Sequence, residues 1–178
     1  MIACQSLPRL WLLSDERNDA ALDARLVRFR EPVGFVYRHY HLPPEERLAR
    51  FNALAAIARR KGHLVILSDS ALTAREWGAD GIYGPPLAIY PTRQDMISIA
   101  TAHNMKELAQ ANRIGADAVM LSPVFPTRSH PGGRILGRNR FRSLASHARM
   151  PVIALGGMNA ARAAELGWPR WAAIDGLS

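Results

Sequence analysis

One cysteine, Cys4, and two lysines, Lys61 and Lys106, are all that the 178 residues hold of those types. A lone cysteine forms no internal disulfide and no thiolate metal cluster. No stretch approaches the roughly 18 consecutive apolar residues that a membrane-crossing helix needs. The opening MIACQSLPRLWLLSDERND also lacks the basic segment and apolar run of a targeting signal. A soluble, cytoplasmic protein that does not engage a membrane is the expectation. Acids are scarce: 15 Asp plus Glu face 23 Lys plus Arg, leaving a formal charge of +8 and a pI near 10.7. From Gly81 to Gln94 there is no acid at all. No zinc-finger, RNA-recognition or helix-turn-helix pattern accompanies the positive charge, so nucleic acid is not an expected partner.

Since two of the basic residues are lysines, the rest are arginines, scattered from Arg9 to Arg170. Guanidinium groups suit bidentate contact with phosphate or carboxylate. The scatter equally fits a GC-rich coding bias. Hydrophobic residues make up 48% and charged residues 21%, ordinary globular usage that predicts one folded domain over residues 1–178.

Short apolar runs alternate with longer helical stretches. The runs are Leu10–Leu13, Val33–Tyr37, Leu64–Leu67, Gly81–Tyr83, Ile97–Ala100, Ala118–Leu121, Val152–Leu155 and Trp171–Ile174. Most are continuously apolar, as in strands of a parallel sheet buried on both faces. Between them, Glu45–Arg60 places Leu48, Phe51, Leu54 and Ile57 at helical spacing and stops before Gly62. Ser70, Asn104 and Asn159 are placed to cap helices that end at Gly78, before Gly115 and at Gly167. Phe141–Ala148 and a weaker Ala20–Phe29 complete the helices. Eight strands alternating with helices predict an α/β protein, a (β/α)8 TIM barrel rather than an open sheet.

Such barrels usually exceed about 200 residues, so this one reads as shortened. Gly84–Pro91 carries three prolines and no helical period, and four residues follow the last strand. The fourth crossover is therefore expected to be non-helical and the eighth helix to be missing. A barrel flank left bare in that way would suit a homodimer surface.

Reactive residues in parallel α/β folds gather at the carboxyl ends of the strands. Those ends carry Ser14, Asp15, Arg38, His39, Ser68, Asp69, Tyr83, Thr101, His103, the run Ser122–Thr127, Gly156, Gly157 and Asp175. Of the arginines, only Arg38 and Arg128 fall near this rim. The loop SPVFPTRSHPGG (122–133) is stiffened by Pro123, Pro126 and Pro131 and offers Thr127, Arg128, Ser129 and His130 as donors. A rigid surface turn would look similar. In PVIALGGM (151–158), Gly156 and Gly157 can bring backbone amides to an anion or simply form a tight turn. His39 and His41 flank Tyr40 as a pair two apart, which can bind metal but reads better as a solvated loop without a third ligand. Asp15 and Glu16 read as helix N-terminal acids.

ADAVMLSPVFPTRSHPGG with PVIALGGM after it resembles the thiamine phosphate synthase family, which includes the related thiazole tautomerases. RLWLLSDE, VGFVYRHY, HLVILSD and WGADGIY resemble that family's first four strands, so the likeness runs over nearly the whole chain. The resemblance implies a TIM barrel that joins hydroxymethylpyrimidine pyrophosphate to thiazole phosphate, with magnesium as cofactor. It implies that Arg38, Thr101, Thr127, Ser129 and His130 hold the pyrophosphate or the pyrimidine side, with Arg38, Thr101 and His130 catalytic. It further assigns His103 and Gly156 to substrate binding, Gly157 to the thiazole phosphate and Asp69 to magnesium. The sequence departs from the pattern at Tyr40 and His130, where lysines are expected, at Ser68 for an asparagine, and at Ala88, the register of a second magnesium aspartate. A tautomerase needing no metal, and a degenerate barrel that binds a phosphorylated thiamine precursor without catalysis, are the alternatives. In the tautomerase pattern a catalytic histidine follows the sixth strand, and Ser122 and Pro123 stand there instead.

Overall fold

A computed structural model describes residues 7–128 and 132–177. Eight parallel strands close on themselves in sequence order: β1 Leu10–Leu13, β2 Gly34–Tyr37, β3 Leu64–Leu67, β4 Gly81–Gly84, β5 Ile97–Ala102, β6 Ala118–Leu121, β7 Val152–Ala154 and β8 Trp171–Ala173, with β8 pairing back to β1. Around them run α1 Asp19–Arg28, α2 Pro44–Arg60, α3 Ala71–Trp77, α4 Met105–Ile114, α5 Gly137–Ala145 and α6 Ala160–Leu166. The expected barrel is present. The β4–β5 crossover carries no helix, and none follows β8 among the described residues. Most strand and helix ends fall within one or two residues of those expected, as β5 does by running on to Ala102, but α5 spans Gly137–Ala145 rather than Phe141–Ala148.

The continuous apolar strands are explained by two buried layers. Trp11, Leu13, Val36, Ile66, Ile99, Met120 and Ile153 fill the barrel interior. The alternate residues Leu12, Phe35, Tyr37, Val65, Leu67, Val119, Leu121 and Ala154 face Phe51, Leu54, Leu108, Phe141 and Leu166 of the helices. Both faces of each strand are thus apolar, as the pleat requires when helices cover the outside. Trp168 joins the outer layer, edge-on to Phe141 at 5.0 Å and donating its indole N–H to Val152 O at 2.9 Å. The helix-free crossover is pinned by buried Ile89 and Met96 and by Thr92 donating to Ile114 O. At the end of β8, the Ile174 carbonyl accepts from Asn18 and Arg25. No helix among the described residues is long and apolar enough to cross a membrane.

His63 links this packing to pH. It is buried, its Nδ1 accepts the Val33 N–H at 3.2 Å, and its Nε2 donates to Leu26 O at 2.8 Å. A proton on Nδ1 would oppose the Val33 N–H. Burial lowers its pKa below the ordinary 6.5, and burial does the same at His39. As pH falls through the unfolded value the unfolded chain gains protons that the folded chain refuses, so stability drops with acidification. Scanning calorimetry is expected to show Tm falling from about pH 7 to about pH 5.5, in a range above that where the carboxylates titrate. A level or rising profile over that interval would contradict this role.

Candidate active site

The carboxyl ends of the strands open into a cavity of about 1230 Å³. Its lining includes Arg38, Thr101, His103, Thr127, Gly156 and Gly157, six of the nine residues to which the resemblance assigns a role. Ser129 and His130 lie outside the described residues. Five arginines line the cavity, Arg38, Arg128, Arg134, Arg140 and Arg162, against one carboxylate, Asp175. Only two of them, Arg38 and Arg128, are expected near the rim from the sequence. Arg134 and Arg140 enter from the long β6–α5 segment and the first turn of α5, and Arg162 from the first turn of α6. The signal for Arg140 and Arg162 was their position. The first turn of a helix that follows a barrel strand faces the mouth.

Arg38 follows β2 directly and is positioned through its backbone. Its N–H donates to Ser14 Oγ at 2.7 Å, and its guanidinium lies 3.5 Å from Asp15 and 5.8 Å from the Tyr40 ring centre. His39, the next residue, is not solvated as its loop position suggested. It is buried at φ 40°, stacked on Tyr37 at 4.7 Å. Its Nδ1 lies 2.8 Å from Ser14 Oγ and its Nε2 lies 2.8 Å from Asp19 Oδ1. The consistent assignment has Ser14 O–H donating to Nδ1 and Nε2–H donating to Asp19, which Arg50 also holds at 2.8 Å. Burial lowers the His39 pKa and outweighs the pull of the Asp19 carboxylate, which favours the uncharged ring. Serine, histidine and aspartate in one chain resemble a hydrolytic triad, yet Ser14 is fully buried and offers no accessible nucleophile. What the trio does is fix the turn that presents Arg38.

The loop after β6 and the loop after β7 are laced together. Val124 N–H donates to Leu155 O at 2.9 Å and Phe125 N–H to Gly156 O at 3.1 Å. Gly156 and Gly157 have φ of 97° and 61°, a region that favours glycine. Arg162 donates to Gly157 O and sits over the Phe125 ring at 5.1 Å, so its guanidinium is braced from two sides. On the opposite wall Asn104 caps α4, accepting the Glu107 N–H at 3.0 Å, and Glu107 in turn accepts from the His103 backbone at 2.7 Å. The expected capping box is thus only half formed: the Asn104 side chain caps the helix, but the Glu107 carboxylate accepts from the backbone of His103 rather than of Asn104, which ties His103 to the helix start.

Asp69 is not brought into this cavity. It lies in a smaller neighbouring depression of about 390 Å³ with Tyr40, Arg47, Thr73 and Trp77. Its Oδ2 accepts from Arg47 Nη1 at 2.5 Å and its Oδ1 from the Ser70 N–H at 2.7 Å. Burial works to raise its pKa, but the bonds from Arg47 and Ser70 outweigh it and hold the carboxyl ionised. Arg47 is itself fixed, donating to Arg38 O and Ser68 O at 3.0 Å each and lying over the Trp77 ring at 5.3 Å. No group of three His, Cys, Asp or Glu that could hold a metal occurs among the described residues. The donor set therefore does not fit the magnesium that the resemblance implies: one carboxylate with both oxygens engaged, and no second one in reach.

The family model described as thiamine monophosphate synthase matches residues 16–174. A thiamine-phosphate synthase of Chloroflexus aurantiacus is 30% identical over 172 residues, covering 89% of this chain and 78% of the relative. One from Thioalkalivibrio sulfidiphilus is 33% identical over 149 residues, covering 79% and 66%. Among solved structures, a thiamine phosphate pyrophosphorylase from Pyrococcus furiosus superimposes with a TM-score of 0.77 at 24% identity, over 93% of this chain and 85% of that one. That last likeness bears on the fold.

Proposed function

Because the chain belongs to the thiamine monophosphate synthase family, we propose that it is a transferase of thiamine biosynthesis, joining hydroxymethylpyrimidine pyrophosphate to thiazole phosphate. The observation that carries this reading is the cavity in which five arginines, Thr101, Thr127 and the Gly156–Gly157 turn face one volume. Two phosphorylated substrates need such a basic enclosure.

In this reaction the bond between the pyrimidine methylene carbon and the pyrophosphate oxygen breaks, and its electron pair leaves with the oxygen. The thiazole nitrogen then gives its lone pair to the methylene cation, and the new C–N bond completes thiamine phosphate. No proton moves in this step, so no general base is needed. The chain's own residues bind, orient and neutralise charge. Arg38, presented on a rigid turn, and Thr101 hold the departing pyrophosphate, with His130 as a further donor. Thr127 and Ser129 are further contacts on the pyrophosphate or pyrimidine side, the Gly157 backbone holds the thiazole phosphate, and His103 and Gly156 complete the binding surface. No step here runs through Asp69 or a metal bound to it.

Purified protein supplied with both substrates is expected to form thiamine phosphate, detected after oxidation to its fluorescent thiochrome derivative. Absence of product above the enzyme-free background at high enzyme concentration would end this reading.

A further inference from the structure

Breaking a carbon–pyrophosphate bond requires that several negative charges on the leaving group be neutralised. Magnesium does this when carboxylates, waters and substrate oxygens share its octahedral shell. Here the carboxylate at the carboxyl end of β3 is already neutralised by protein. Arg47 bonds Asp69 at 2.5 Å, while its Nε and Nη2 each donate to a carbonyl and its face covers the Trp77 ring. A divalent cation would have to evict a guanidinium bound on three sides. The next candidate ligand is remote, because no acid lies between Asp80 and Asp95 and Asp95 pairs with Arg75 at 2.6 Å.

Positive charge is instead concentrated at the other wall of the mouth. Arg128, Arg134 and Arg140 are exposed, line the cavity, and have no carboxylate partner among the described residues. Arg38 and Arg162 face the same volume. Planar guanidinium groups can grip phosphate oxygens in bidentate fashion, and they keep their charge at every physiological pH.

We propose that this chain neutralises a diphosphate group with guanidinium side chains and without a divalent cation, Arg47 standing on Asp69 where the cation would sit. The proposal rests on the transferase reading for its choice of diphosphate, but its test does not require turnover. Titration calorimetry of the full chain with sodium pyrophosphate, in buffer with EDTA and again with excess magnesium, distinguishes the cases. Saturable binding is expected in EDTA, with magnesium tightening it by no more than about twofold, and with Arg134→Gln and Arg140→Gln each weakening it about tenfold. Both substitutions are at exposed positions. Binding that appears only with magnesium, or that tightens about tenfold or more when magnesium is added, overturns the proposal and leaves the transferase reading intact. Binding in neither buffer overturns it together with the assignment of a diphosphate subsite. Loss of affinity in neither arginine variant overturns it as well.

Discussion

Arg38→Ala is expected to lower thiamine phosphate formation by about a thousandfold, the loss seen when a preorganised donor to a developing negative charge is removed, or about 4 kcal/mol of transition-state stabilisation. The effect belongs to the guanidinium alone. The bond that fixes the turn comes from the Arg38 backbone N–H to Ser14 Oγ, and alanine keeps that N–H. Folding should therefore be almost unaffected, with Tm within about 2 °C of the parent. Arg38→Lys keeps the charge but not the planar fork, and should recover only part of the rate. The loss should fall mainly on kcat, because charge builds on the pyrophosphate as the bond breaks. Steady-state kinetics beside thermal melts check both halves. A rate within about threefold of the parent would remove Arg38 from the mechanism.

Gly156→Ala should damage folding and activity together. At φ 97° a side chain is strained in any surroundings, and the added Cβ would stand 2.5 Å from Pro123 Cα and 3.1 Å from Val124 N. Both are backbone atoms of the loop that Gly156 itself holds through Phe125, so relief requires the two loops to separate. Strain and overpacking each cost about 1–3 kcal/mol, and about 3 kcal/mol in sum corresponds to a Tm lower by roughly 6–12 °C for a chain of this size. Separation of the loops would carry Thr127 with it, so activity should fall more than Tm alone implies. Gly115→Ala supplies the comparison. Gly115 ends α4 at φ 67°, and a Cβ there meets nothing within 4 Å. It should cost only about 1 kcal/mol and leave turnover unchanged. Equal effects of the two substitutions would show that backbone strain, rather than contact between the loops, governs this wall.

Much of this architecture was legible in the order of residues. Continuous apolar runs such as LVIL and AVML announce strands covered on both sides, and Asn104, Asn159 and the glycines after them mark helix ends that the caps reproduce. Three prolines without helical period foretold the bare crossover after β4. The site was legible only where chemistry follows strand ends. Arg38 comes straight after β2 and Thr101 lies within β5, while Thr127 sits on the loop that follows β6, and all three reach the cavity by topology. What stayed hidden depends on side chains meeting across sequence. Arg47 lies 22 residues before Asp69 and reaches it from α2, and nothing in either local stretch signals that the carboxylate is taken. His39 reads as a solvated loop residue because its pair with His41 lacks a third ligand, and Tyr40 and His41 on the same loop are indeed exposed. The left-handed turn at that one residue sends its ring inward to Ser14 and Asp19.

In the proposed reaction this cavity couples pyrophosphate departure to carbon–nitrogen bond formation. The most direct measurement is a single-turnover reaction with both substrates in which released pyrophosphate and thiamine phosphate are quantified together. The two are expected to appear at the same rate in a one-to-one ratio, and neither when thiazole phosphate is omitted. Pyrophosphate released without thiamine phosphate, or neither product at enzyme concentrations above those of the substrates, would contradict this coupling.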